Sequence, residues 1–173
     1  MLGTTVGYAG GSSENPTYRD LGDHAETVEI HYDPAVVSYK QLLDIFWKSH
    51  DSGSRSRSRQ YMSAIFYHDD EQRKLAVESM QQEEARTHRK LYTEISPAGR
   101  FYRAEDYHQK YYLRQRSDLV DQFRKVYPAE TFVDSTAAAR LNGFLAGYGS
   151  LTDLQKELDA LLPPGKSVNV KLH

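Results

Sequence analysis

The chain has 173 residues, 24 acidic and 22 basic side chains, a formal charge of −2 and no cysteine. That balance excludes a polybasic arm or an acidic tail as the main business of the protein, and no apolar run approaches the roughly 18–20 residues of a membrane span. The missing cysteine excludes disulfides, thiolate metal sites, thiol nucleophiles and redox relays within these 173 residues. An apolar content of 39% and this length suit one folded domain with an appendage. The N-terminus lacks the basic-then-apolar plan of a signal peptide, so the expected location is cytoplasmic, with neither a membrane nor a nucleic acid as partner.

Taken in chain order, Met1-Leu-Gly-Thr-Thr-Val-Gly-Tyr8 is apolar and β-branched and predicts a strand. A loop of turn residues follows over Gly10–Tyr18. From Thr27 the pattern alternates, with Val28, Ile30 and Tyr32 on one side, which predicts a half-buried strand closed by Asp33-Pro34. Ser38 and Gln41 stand at capping-box spacing before Leu42, Leu43, Ile45 and Phe46, predicting a helix up to Ser49. Tyr61–Tyr67 reads as a strand, and Asp69-Asp70-Glu71 opens a helix that runs to about Arg89. Thr93-Glu94-Ile95 is a short strand, with a turn at Pro97-Ala98-Gly99 before Phe101-Tyr102. After Tyr127-Pro128 two helices are expected, Ser135–Leu145 and Thr152–Leu162, the second stopped by Pro163-Pro164-Gly165. The order favours an α+β core over residues 1–127 and a helical C-terminal extension over 128–173.

Polar side chains in Gly-rich loops at strand ends are the candidates for chemistry. They are Tyr18, His24 and Glu26 ahead of the Thr27 strand, Tyr61 at the start of the next, and the stretch Ala104-Glu-Asp-Tyr-His108. A Tyr–Glu–Tyr trio can hydrogen-bond a polar oxygen and protonate it from the carboxyl group. With 13 tyrosines in the chain, two beside a carboxylate also arise without a function, and that alternative stays open on composition alone. The seven histidines show no HExxH and no pair at helical ligand spacing, so no metal is expected. Ser54-Arg-Ser-Arg-Ser-Arg59 reads as a solvated connector rather than a phosphate grip, and Gly7, Gly10 and Gly11 as turns rather than a nucleotide cradle. Tyr107, Tyr111 and Tyr112 at helical spacing are expected in the core.

Several short motifs, in order, resemble those of the methionine sulfoxide reductase A family. They are Gly7-Tyr-Ala-Gly-Gly11, Asn15-Pro-Thr-Tyr18, Gly22-Asp-His-Ala-Glu26, Tyr32-Asp-Pro34, Leu43-Asp-Ile-Phe-Trp47 with Ser49-His50-Asp51, Gln60-Tyr61-Met-Ser-Ala-Ile65 and Phe101-Tyr-Arg-Ala-Glu-Asp-Tyr-His-Gln109. The resemblance covers about residues 3–113 and implies a peptide-methionine (S)-S-oxide reductase, an oxidoreductase of protein repair under oxidative stress, acting on the free or protein-bound sulfoxide. It implies an α+β fold, a two-layer sandwich of a mixed sheet with packed helices (ferredoxin-like), no metal and no bound organic cofactor. In that family a cysteine thiolate attacks the sulfoxide sulfur while acid groups protonate the departing oxygen, leaving a sulfenic acid that a second thiol resolves. The motifs assign oxygen binding to Tyr18 and Tyr61 and the general acid to Glu26, with an external thiol reductant, thioredoxin or a dithiol, as partner.

The departures from that pattern carry equal weight. The family's Gly-Cys-Phe-Trp-Gly motif, which holds the nucleophile, falls upstream of Met1, so the first strand and helix are absent. The loop between His50 and Gln60 is shorter than the family's and leaves its aspartate unassigned, and beyond Tyr112 the resolving-cysteine tail is replaced. Three expectations follow: an N-terminally incomplete reductase with its nucleophile upstream, a cysteine-less pseudoenzyme module that binds methionine sulfoxide or methionine-containing peptides, or a scaffold for assembly through the C-terminal helices. The 173-residue chain is predicted inactive in thiol-dependent turnover, since neither Ser nor Tyr of ordinary pKa replaces a thiolate.

Overall fold

The computed structural model describes residues 2–128 and 131–170. Three strands, β1 (Gly3–Ala9), β2 (Ala25–His31) and β5 (Tyr102–Arg103), form one sheet in the order β2-β1-β5. β5 runs antiparallel to β1 and sets Tyr102 opposite Tyr8. A second sheet pairs β3 (Ala64–Tyr67) with β4 (Glu94–Pro97) in parallel, from Ala64 opposite Glu94 to Tyr67 opposite Pro97. Parallel strands need a long crossover, and helix α2 (Asp70–Thr87) supplies it. Mixed α+β architecture is therefore established.

The chain divides into two compact units. One comprises Val6–Val28 and Tyr32–Ala104, the other Met1–Thr5, Glu29–His31 and Glu105–His173. In the first, helix α1 (Tyr39–Ser49) starts with the expected capping box: Ser38 Oγ accepts from the Gln41 N–H at 3.2 Å and Gln41 Oε1 accepts from the Ser38 N–H at 2.8 Å. Asp69 caps α2 by accepting the Gln72 N–H at 2.7 Å, and His88, in the left-handed region at φ 52°, ends it. Leu43 and Trp47 of α1 pack with Ile65, Ala76 and Leu91. The Trp47 indole N–H donates to Ser79 Oγ at 3.0 Å, and that hydroxyl donates in turn to the Ala76 carbonyl at 2.8 Å, so the buried donors are matched. A smaller cluster of Tyr8, Leu21 and Ala104 lies beneath the β1–β5 pair.

Two expectations are corrected in this unit. The strand predicted over Tyr61–Tyr67 begins only at Ala64, because Arg59–Tyr61 coils into a 3-10 turn. Val28 is 54% exposed, because β2 is an outer strand and its alternating face gains no cover from the described residues.

The second unit holds α3 (Tyr111–Arg114), α4 (Ser117–Arg124), α5 (Thr136–Leu145) and α6 (Leu151–Leu161). α5 and α6 match the sequence expectation within a residue and carry serine caps: Ser135 Oγ accepts from the Ala138 N–H and Ser150 Oγ from the Asp153 N–H, both at 3.1 Å. α3 and α4 escaped the sequence reading because neither has a side-chain cap and one is a single turn. They nevertheless supply Leu113, Leu119, Val120 and Phe123 to a core shared with Leu141, Leu154, Leu158 and Val168. Tyr107, Tyr111 and Tyr112 do not join it and are 58%, 58% and 47% exposed, since the intervening leucines occupy the inward face. Lys110 is buried and its ammonium donates to the Thr4 carbonyl at 2.6 Å. Among the described residues no helix is long and apolar enough to cross a membrane.

Candidate functional site

The loop after β1 is held by side chains from the segment that leads into β2. Gly10 (φ 79°) and Gly22 (φ 59°) both adopt left-handed backbone, and a Cβ on Gly22 would meet the Ser13 side chain. Asp23 gathers the loop around its carboxylate. The Ser12 N–H reaches its oxygens at 2.8 and 2.9 Å, the Ser12 hydroxyl at 2.9 Å, the Ser13 N–H at 3.1 Å and the Ser13 hydroxyl at 2.7 Å. Those donors, the Ser13 hydroxyl foremost, hold the Asp23 carboxyl far below the usual carboxylate range.

His24, only 1% exposed, clamps the same loop from inside. Its Nδ1 accepts from the Gly11 N–H at 3.2 Å, which places the ring proton on Nε2, and Nε2 donates to the Ser13 carbonyl at 2.8 Å. The ring also meets Tyr102 edge-on at 5.4 Å. His24 is thus a structural clamp rather than a group presented to solvent. Arg59 ties the loop from the other side: Nε donates to the Asp23 carbonyl at 2.6 Å and an Nη to the Gly10 carbonyl at 2.9 Å, with Glu94 at 3.6 Å. The last arginine of the Ser-Arg run is therefore a tether and not a solvated connector residue.

On this frame the three predicted residues come together. Gln60 Nε2 donates to Glu26 Oε1 at 2.7 Å and to the Tyr61 hydroxyl at 3.1 Å. Tyr61 in turn is hydrogen-bonded to Tyr18. The charge of an ionised Tyr18, partial desolvation and the Glu26 carboxylate push the Tyr61 hydroxyl above the ordinary tyrosine range, so it stays protonated as a donor. Tyr18 and Tyr61 are 43% and 62% exposed, and Glu26 is exposed too, so the cluster faces solvent. Gln60 donates to Glu26 Oε1, which leaves Oε2 outside that bond. Such an array can bind an acceptor oxygen with two phenols and protonate it from a carboxyl group.

Sequence reasoning missed the organising roles of Asp23, Arg59 and Gln60. Gln60 and Asp23 stood inside the quoted motifs, beside Tyr61 and His24, and adjacency to the chosen residues was the available signal; Arg59 had none. Elsewhere His50 Nε2 contacts the Ser63 hydroxyl at 2.7 Å, and Asp51 pairs with Arg89 at 3.0 Å. The Ser54 hydroxyl, followed by Arg89, lowers the Asp51 carboxyl. The Ala104–His108 stretch forms a 3-10 turn at Asp106–His108, with His108 Nε2 3.9 Å from Glu105. Among the described residues no group of three or more His, Cys, Asp or Glu side chains could hold a metal ion.

Comparison with known proteins bears on the same residues. The family model described as peptide methionine sulfoxide reductase matches residues 1–140. A peptide methionine sulfoxide reductase of Drosophila melanogaster is 45% identical over 163 residues, covering 93% of this chain and 65% of that protein. Among solved structures, Mxr1 from Saccharomyces cerevisiae in reduced form gives a TM-score of 0.60 at 29% identity, over 66% of this chain and 71% of that one. Methionine sulfoxide reductase A of Corynebacterium diphtheriae gives 0.55 at 32% identity, over 66% and 63%. The chain spans less than two thirds of the length of several of the curated relatives it matches, 65% of the fly protein and 59% of two plant proteins. By the extent of the family match and the identity to these relatives, the chain belongs to the peptide methionine sulfoxide reductase family.

Proposed function

We propose that Tyr18, Tyr61 and Glu26 bind and protonate the oxygen of a methionine S-sulfoxide, so that this chain carries the acid half of a sulfoxide reductase. The Gln60 side chain, bridging Glu26 Oε1 and the Tyr61 hydroxyl while Tyr18 bonds to Tyr61, is the observation that carries the reading. On binding, the Tyr18–Tyr61 hydrogen bond is exchanged so that both phenols donate to the sulfoxide oxygen and polarise the S–O bond, and Glu26 Oε2 supplies the proton as that bond breaks.

The sulfur nucleophile comes from outside these 173 residues, which contain no cysteine. A thiolate attacks the sulfoxide sulfur and the oxygen leaves on the attacking sulfur, giving methionine and a sulfenic acid. Two electrons pass from the thiol sulfur to the sulfoxide. A second thiol then condenses with the sulfenic acid, releasing water and a disulfide that a cytoplasmic reductant of the thioredoxin type returns to thiols. The reading includes the two-layer, ferredoxin-like core of the family, supported by the parallel β3–β4 pair with its α2 crossover and by the likeness to the solved reductases. Residues 1–127 form the reductase-like part and 128–173 its helical extension.

Three hydrogen bonds at about 0.5–1.5 kcal/mol each give an affinity in the millimolar range or weaker. Ring signals of Tyr18 and Tyr61, followed by NMR during titration with methionine S-sulfoxide, test this. Saturable shifts with the sulfoxide and none with methionine, which lacks the oxygen, are expected. Equal responses to both, or none to the sulfoxide, would overturn the reading.

A further inference from the structure

The Ser-Arg run between His50 and Gln60 holds three serines, and the structure treats them differently. The Ser54 hydroxyl donates to Asp51 Oδ2 at 2.7 Å, and that acid lies three residues before it. The Ser56 hydroxyl donates to the Ser58 carbonyl at 2.7 Å and accepts the Ser58 N–H at 3.3 Å, closing a local turn. Ser58 differs on each count. It is exposed, its hydroxyl makes no hydrogen bond to any described residue, and its backbone is extended at φ −139°, ψ 154°. It alone of the three has arginines at three residues before, one before and one after, namely Arg55, Arg57 and Arg59. An accessible hydroxyl on extended backbone among cations is what an acidic protein-kinase groove selects.

We infer that Ser58 is a phosphoacceptor for an arginine-directed serine kinase, and that its phosphate competes for the Arg59 guanidinium that tethers the Gly10 loop. The γ-phosphoryl group of a nucleoside triphosphate passes to Ser58 Oγ. The bond to the β-phosphate oxygen breaks as the Oγ–P bond forms, the hydroxyl proton goes to the kinase's base, and the nucleoside diphosphate leaves. The new group adds about −1.5 to −2 charge at pH 7, one residue from Arg59.

Arg59 now serves two neutral acceptors, the Asp23 and Gly10 carbonyls, and lies 3.6 Å from a half-exposed Glu94. A hydrogen bond to a phosphate dianion is roughly twice as strong as one to a neutral carbonyl. Modification therefore draws the guanidinium off the loop that carries Asp23 and leads to Tyr18. The Asp23–Ser12–Ser13 bonds remain, so the loop loosens without unfolding.

The test uses the full 173-residue chain, the catalytic subunit of cyclic-AMP-dependent protein kinase and ATP, with peptide mapping by mass spectrometry and amide hydrogen exchange. One phosphoryl group on Ser58 is expected, absent in Ser58→Ala. Exchange over residues 10–24 is expected to quicken roughly five- to tenfold, the loss of one or two neutral hydrogen bonds. Unmodified Arg59→Gln is expected to show the same acceleration. No incorporation, incorporation on Ser54 or Ser56 instead, or unchanged exchange in either the Ser58 phosphoform or Arg59→Gln would overturn the inference.

Discussion

Replacing His24 by phenylalanine separates the ring's packing from its hydrogen bonds. The site is 1% exposed and the ring meets Tyr102 edge-on at 5.4 Å, a contact that phenylalanine keeps with a somewhat larger ring. Two bonds are lost, from the Gly11 N–H to Nδ1 at 3.2 Å and from Nε2 to the Ser13 carbonyl at 2.8 Å. An unmatched backbone group costs about 1–3 kcal/mol when fully buried. Gly11 and Ser13 are part-buried, so water restores some of that, and the pair is worth about 2–3 kcal/mol. With a urea slope of about 2 kcal/mol/M, the unfolding midpoint falls by roughly 1 M or slightly more. Fluorescence of the single tryptophan, Trp47, reports unfolding of the unit that contains His24. A midpoint within about 0.2 M of the parent chain would refute the clamp, because no packing gain from phenylalanine hides a loss of that size.

Other perturbations probe separate parts of the molecule. Leu158→Ala empties a fully buried position beside Leu141 and Leu154, and should cost about 2–5 kcal/mol in chemical unfolding followed by helical circular dichroism. Tyr39, whose hydroxyl is buried without a hydrogen-bond partner among the described residues, has its pKa pushed up to about 12, first by burial and then by Tyr32 and Asp69. Its folded pKa exceeds the unfolded value, so the associated stability is intact below about pH 10 and lost as pH rises towards 12. Tyr39→Phe should flatten that alkaline limb of a stability–pH curve and leave stability at neutral pH equal or higher. Gln60→Leu removes the shared donor to Glu26 and Tyr61. It should weaken sulfoxide binding roughly five- to tenfold in the NMR titration, with unfolding changed by no more than about 0.5 kcal/mol.

Elements with a side-chain cap were legible from the sequence: Ser38 and Asp69 open helices where they were expected, and the two C-terminal helices, expected within a residue of their observed bounds, are capped by Ser135 and Ser150. Where capping chemistry is absent, as before α3 and α4, no local signal marks the helix, and only burial of Leu113, Leu119 and Phe123 reveals its purpose. The tyrosine spacing at 107–112 misled for the same reason, since periodicity gives a face but not which face the core takes. At the site, Tyr18, Glu26 and Tyr61 were legible through short motifs, and their meeting is a tertiary fact. Arg59 was illegible because it crosses 36 and 49 residues to reach Asp23 and Gly10, a distance no sequence window spans. His24 was legible as a residue of interest but not as a clamp, because its two backbone partners lie 11 and 13 residues away.

The proposed proton-donating cluster, without a nucleophile in these 173 residues, is tested most directly by turnover. The purified 173-residue chain is incubated with a peptide methionine S-sulfoxide and excess dithiothreitol, and methionine is quantified against a thiol blank. No methionine above the blank is predicted, because these residues hold no thiolate and free dithiothreitol lacks the positioning of a thiolate fixed beside the proposed oxygen site. Repeated turnover, more than one methionine formed per chain, would contradict it.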